Sequence, residues 1–237
     1  MKILPILFLF ILSSSFCFKF YNTAHGLKYI GKQKLKFREP SDLSFDPQGN
    51  IWVASDDGFM VKIDALGNIL KRSAKFPYDL ETISYHNDMI YTVDERGNIM
   101  HLFDTNFIEK NHFQLSINTA LNRGVEALFY HPTKKFFVCI TEKKPILREL
   151  DSAMNTTNSF ELPLEGDISS GMYYNNQVWL LSDESSCIYI LNKDTYKLEK
   201  TLPLNILNAE GIACDAKGII YIVSDDINTI YKYQYTP

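Results

Sequence analysis

Acidic side chains recur in this 237-residue sequence at matching places in similar phrases. Glu81, Glu126 and Glu210 open "ETISY", "EALFY" and "EGIAC", and Ser41 and Ser170 stand at the corresponding points of "SDLSF" and "SGMYY". A second set closes the apolar phrase that follows each of these: Asp56, Asp94, Glu142, Asp183 and Asp225. Asp57, Glu95, Glu184 and Asp226 come directly after, and Lys143 breaks the pattern in the third copy. Carboxylates gathered around one point repel one another. Each must be hydrated, protonated, paired with a cation such as Arg123 or Arg38, or bound to a metal. With no histidine or thiolate among them, the hard oxygen donors favour Ca²⁺ over a transition metal. The structural explanation differs between the two sets. An Asp after a strand commonly accepts hydrogen bonds from turn amides, whereas a turn makes no such demand for Glu.

Other chemistry leaves little trace. The chain has no G-x-S-x-G elbow, H-E-x-x-H, phosphate loop or C-x-x-C. His86 and His131 fall in turns at the opposite end of the repeats, His101 and His112 in outer strands, and His25 ahead of them all. None is placed to work with the acids. Lys and Arg number 24 against 28 Asp and Glu, for a net charge of −4, and the basic residues are scattered. That balance argues against a nucleic-acid partner or an anionic membrane surface.

The elements that must position these residues are strands. Each first phrase is followed by a short turn and an apolar run: "NIWVASD", "MIYTVDE", "KFFVCITE", "QVWLLSDE" and "IIYIVSDD". Third strands follow in "FMVKID", "NIMHLFD", "ILREL", "CIYILN" and "TIYKYQY", and fourth strands in "NILKRSAKF", "IEKNHFQL", "NSFELPL" and "KLEKTLPL". The starts at 41, 81, 126, 170 and 210 are 40, 45, 44 and 40 apart. Four short antiparallel strands in about 40 residues describe a propeller blade. The apolar runs lack period-two alternation because a blade between two neighbours buries both faces. The fold expected is therefore an all-β, five-bladed β-propeller. Its last repeat lacks a fourth strand, and "YIGKQKLKF" at 29–37 supplies one from the N-terminus, closing the ring and covering the free edges.

Ahead of the ring, "MKILPILFLFILSSSFC" has the layout of a secretory signal: a positive start, an apolar core and a small-residue tail. Its apolar run is well short of the roughly 20 residues that span a bilayer. The expectation is a signal peptide over 1–17 and one propeller domain over 18–237, with the leader retained as a membrane anchor as the alternative. Cys139, Cys187 and Cys214 form an odd set without metal-type spacing, and the apolar settings of Cys139 and Cys214 read as core.

"GVEALFYHPTKKFFVCITE", "DISSGMYYNNQVWLLSDESSCIYIL" and "NAEGIACDAKGIIYIVSDD" resemble the SdiA-regulated, or YjiK-like, exported bacterial proteins over most of residues 38–233. The resemblance implies a periplasmic or membrane-associated β-propeller and brings no set of active-site residues with it. On the residues alone, two functions stand. One is an exported monomeric binding module whose acidic mouth takes calcium, a small ligand or a partner protein. The other is a calcium-dependent hydrolase, lactonase- or phosphoesterase-like, using the same face. Metal ligation is expected from Glu81, Glu126 and Glu210. Ligand contacts are expected from Ser41, Ser170, Arg123, Asp56, Asp94, Glu142, Asp183 and Asp225.

Overall fold

The computed structural model describes residues 23–24, 26–117 and 124–237. The leader and Arg123 lie outside the described residues. Five antiparallel sheets form the molecule, and no helix occurs among the described residues. Blade one is β3 (Pro40–Phe45), β4 (Ile51–Ser55), β5 (Phe59–Ile63) and β6 (Ile69–Arg72). Blade two is β7 (Ser84–His86), β8 (Met89–Asp94), β9 (Ile99–Asp104) and β10 (Glu109–Gln114). Blade three is β11 (Val125–His131), β12 (Phe136–Thr141), β13 (Ile146–Leu150) and β14 (Thr156–Glu161). Blade four is β15 (Ser170–Tyr174), β16 (Gln177–Ser182), β17 (Cys187–Asn192) and β18 (Leu198–Pro203).

Blade five is assembled from both ends of the chain. β19 (Ala209–Cys214), β20 (Ile219–Ser224) and β21 (Thr229–Tyr235) are completed by β2 (Leu27–Lys34), with the two-residue β1 (Thr23–Ala24) on the outer edge. β2 runs antiparallel to β21, from Leu27 opposite Tyr235 to Lys34 opposite Thr229. The closing strand thus starts two residues earlier, and ends three earlier, than the 29–37 read from the sequence.

One apolar cluster fills each of the five blade interfaces. Ile51 and Val53 of β4 pack toward blade five, with Tyr221 and Val223, while Trp52 and Ala54 pack toward blade two, with Ile83 and Phe103. This is why the second strands are apolar at nearly every position. Cys139 and Cys187 are buried and Cys214 half-buried, all as free thiols. The ends of the blades away from the acids are held by Asx turns: Asp46, Asp64, Asp104, Asp151 and Asp215 each accept amide hydrogen bonds from residues two and four positions on.

Candidate functional site

The inner strands do not start cleanly. Register shifts at Pro40/Asp42, Val125/Ala127 and Ala209/Gly211 leave Ser41, Glu126 and Glu210 as extra, unpaired residues. A bulge of this kind re-aims a side chain. Here it turns each one to the mouth end of the axis. Glu81 takes the same place in blade two, its amide bonded to the Val93 carbonyl, and Ser169 does so in blade four, its amide bonded to Leu181. The column is therefore Ser41, Glu81, Glu126, Ser169 and Glu210. Ser170, expected there, is one residue out of step and fully buried, its hydroxyl donating to Asp42 Oδ1 at 2.8 Å. Ser41 is in the column but also buried, and its hydroxyl donates to the Leu80 carbonyl at 2.6 Å.

The second column needs the same adjustment. Asp56, Glu95 and Glu142 each follow their strand and donate their amides to Glu39, Asp79 and Gly124. Asp183 and Asp225 match them, so the blade-two member is Glu95. Asp94 instead ends β8, in the place held elsewhere by Ser55, Thr141, Ser182 and Ser224. It is buried and accepts the Asp79 amide at 3.0 Å, clipping the incoming loop to the blade. Asp183 has a similar duty, accepting the Ala209 amide at 3.2 Å.

Glu81, Glu126, Glu210, Glu95, Glu142 and Asp183 line one opening of about 350 Å³, with Asp167 and, among the described residues, a single cation, Lys143. Lys143 reaches Glu142 at 3.8 Å and Glu184 at 3.7 Å, long contacts that neutralise little. Glu81 is half-buried, and its carboxyl is pushed up to about 9 by desolvation and then by Asp56, Asp79, Glu95 and Glu210. Glu210 rises to about 8 by desolvation and then by Asp225, Asp183 and Asp56. Glu126 is raised well above the carboxylate range by burial, then by Glu81 and Glu95. Near pH 7 Glu81 and Glu210 therefore hold protons, and an incoming cation must displace them.

Oxygen atoms of Asp79, Glu81 and Glu95 lie within 4.8 Å of one another, close enough to share an ion. Glu126 and Glu210 line the same opening but fall outside that set. All three members belong to blade two and its entry loop. One Asp79 oxygen already accepts from exposed Arg96 Nε at 2.8 Å. The donor set suits Ca²⁺, which takes carboxylate, carbonyl and water oxygens.

A family model for SdiA-regulated proteins matches residues 29–234. The chain belongs to the SdiA-regulated family. Solved structures of similar shape are distant in sequence. A glutaminyl cyclase of Myxococcus xanthus is 11% identical with a TM-score of 0.72, covering 88% of this chain and 95% of that one. A Bacteroides caccae protein of unknown function is 13% identical with a TM-score of 0.58, covering 80% and 72%. A virginiamycin B lyase of Staphylococcus aureus is 16% identical with a TM-score of 0.54, covering 83% and 66%. At these identities the likeness is one of fold.

Three acids of this family member, Asp42, Asp79 and Asp167, escape a reading by repeats. Asp42 lies one layer below the mouth, in the ring of Asp42, Thr82, Ala127, Ser170 and Gly211. It spans the axis, accepting the Ile83 amide from blade two at 2.9 Å and the Ser170 hydroxyl from blade four. Ser170 passes the link on by accepting the Ile212 amide of blade five at 3.2 Å. Burial pushes the Asp42 carboxyl up to about 8 despite these bonds. Its signal in the sequence was a charge inside the strand "SDLSF". Asp79 and Asp167 were the other omissions, marked by their places two residues before Glu81 and Ser169; Asp167 accepts the Ser182 hydroxyl at 3.0 Å and the Glu184 amide at 3.1 Å. Among the described histidines none reaches the mouth: His86 stacks on Tyr130 and His131 bonds the Lys193 carbonyl.

Proposed function

We propose that this protein is an exported cation-binding propeller, taking Ca²⁺ at its acidic mouth. One observation carries the reading: Glu81, Glu126 and Glu210 are crowded into a half-buried opening whose only described cation is Lys143. Concentrated negative charge without a counter-charge is unfavourable unless protons or cations relieve it. Asp79, Glu81 and Glu95 would make the primary contacts, and Glu126, Glu210 and Glu142 would supply the surrounding field.

Calorimetry with Ca²⁺ at pH 6, 7 and 8 tests this. Binding should tighten as pH rises and release protons, read as a heat that depends on the buffer's ionisation enthalpy. Ca²⁺ should also raise the melting temperature by mass action. Changing Glu81, Glu126 and Glu210 together to Gln should remove both effects and leave the fold. No heat at millimolar Ca²⁺, but a clear one with putrescine, would replace the metal with an organic ammonium ligand. Silence with both would end the cation reading.

A second reading rests on Glu81, whose carboxyl at about 9 is protonated at neutral pH. Such a group can serve as a general acid. The glutaminyl cyclase likeness suggests the chemistry: an amine attacks an amide carbon, a C–N bond forms and another breaks. The attacking nitrogen loses a proton to a neighbouring carboxylate, and the departing ammonia carries one from Glu81. Ammonia release from a glutaminyl peptide, lost in Glu81→Gln, is the assay. This reading differs from a calcium-dependent hydrolase in that its catalyst is the proton that a metal would displace.

A further inference from the structure

Blade three carries a second opening, of about 490 Å³, beside the loop that follows β12. Its charge is the reverse of the mouth's. Among the described residues Lys143, Lys144 and Arg148 line it against a single acid, Glu161. Arg148 decides what the opening is for. It sits in β13 opposite Cys139 of β12 and Ser159 of β14, and is 9% exposed. The other described arginines, Arg38, Arg72 and Arg96, are all exposed.

A guanidinium offers five N–H donors. Among the described residues Arg148 uses one, donating from Nη1 to the Ile146 carbonyl at a long 3.4 Å. No described carboxylate pairs with it. A buried cation left without an anion is costly, and it is ordinarily matched by one. Apart from Thr141, whose hydroxyl accepts the Ile146 amide at 3.2 Å, the rest of the described wall is apolar, with Pro145 and Leu162 buried and Ile146 half-buried. Glu161 at the rim disfavours a ligand with two negative charges.

We propose that this opening binds an organic monocarboxylate with an apolar body. The planar carboxylate meets the fork of Arg148, a bidentate match that a lysine does not offer. Lys143 and Lys144 add charge from the rim, and the apolar body lies along Pro145, Ile146 and Leu162. The site shares Lys143 with the rim of the acidic mouth and is otherwise lined by different residues.

Hexanoate is the probe, titrated into the full chain by calorimetry, with hexanol and inorganic phosphate as controls. Hexanoate should bind in the millimolar range, and more weakly as salt is raised. Hexanol and phosphate should bind much less. Arg148→Met should weaken hexanoate at least about tenfold, the loss expected for a charge-assisted hydrogen bond. Lys144 is exposed, so Lys144→Met keeps the test valid if Arg148→Met does not fold. It should weaken binding about threefold, as a rim charge does. The variant carrying Gln at 81, 126 and 210 should bind hexanoate unchanged. The proposal is overturned by no hexanoate binding, by hexanol or phosphate binding as tightly, or by binding that survives loss of Lys144 and of Arg148.

Discussion

Asp42 has two hydrogen bonds and almost no contact with water. With its carboxyl at about 8 it is neutral at pH 7, so an amide can replace it. Asp42→Asn should shift stability at pH 7 by less than about 1 kcal/mol. Asp42→Ala strands the Ile83 amide and opens a hole on the axis, costing about 2–3 kcal/mol. The sign of the pH dependence comes from the same group. Asp42 at about 8, from 3.8, and Glu81 at about 9, from 4.5, keep protons in the fold that the unfolded chain gives up. Between those limits the folded state binds more protons, so the stability these groups contribute is full below the unfolded values of 3.8 and 4.5 and falls steadily as pH rises toward 9. Urea melts from pH 5 to pH 9 should show the decline, and Gln at 81, 126 and 210 together with Asn at 42 should flatten it. A wild-type curve that rises across that range would contradict the protonated mouth.

At the scale of elements, the second strands were the most legible part of the chain. Runs such as "NIWVASD" and "QVWLLSDE" need burial on both faces, and only a blade between blades supplies it. The inner strands were legible in number but not in register. A strand alternates sides at every residue, so a slip of one exchanges mouth for core. Asp94 and Ser170 were misplaced this way, because each stands beside a residue of like chemistry, Glu95 and Ser169, so that two alignments one residue apart read equally well. Two glycines test the corrected register. A Cβ on Gly211 would lie 2.7 Å from the Asp42 Cα, where backbone must move, so Gly211→Ala should destabilise by about 1–3 kcal/mol. A Cβ on Gly124 would lie 1.9 Å from the Glu95 Cγ, a side chain that can swing aside. Gly124→Ala should therefore leave the melting temperature nearly unchanged while weakening Ca²⁺ binding. Equal destabilisation by the two would put Gly211 away from the axis.

At the scale of the whole molecule, function and closure are one problem. The mouth draws Glu81 from blade two, Glu126 from blade three and Glu210 from blade five, so it exists only while the ring is shut. The strap is β2 and the segment after it. Leu27 is buried against blades four and five, and Leu35 and Phe37 are buried between blades five and one. Each such side chain is worth about 1.5–3 kcal/mol when fully buried. Their joint loss is a large fraction of a typical domain's stability of about 5–15 kcal/mol. Removing residues 23–37 also bares the β21 edge, a template for pairing with another chain. A chain beginning at residue 38 should melt well below one beginning at residue 23 and tend to self-associate, followed by calorimetry and light scattering. Adding the strand back as a peptide of residues 23–37 should restore the melting temperature, and the Ca²⁺ response with it. If the shortened chain melts like the longer one and still binds Ca²⁺, the ring does not depend on its strap. The acids of blade two would then suffice alone.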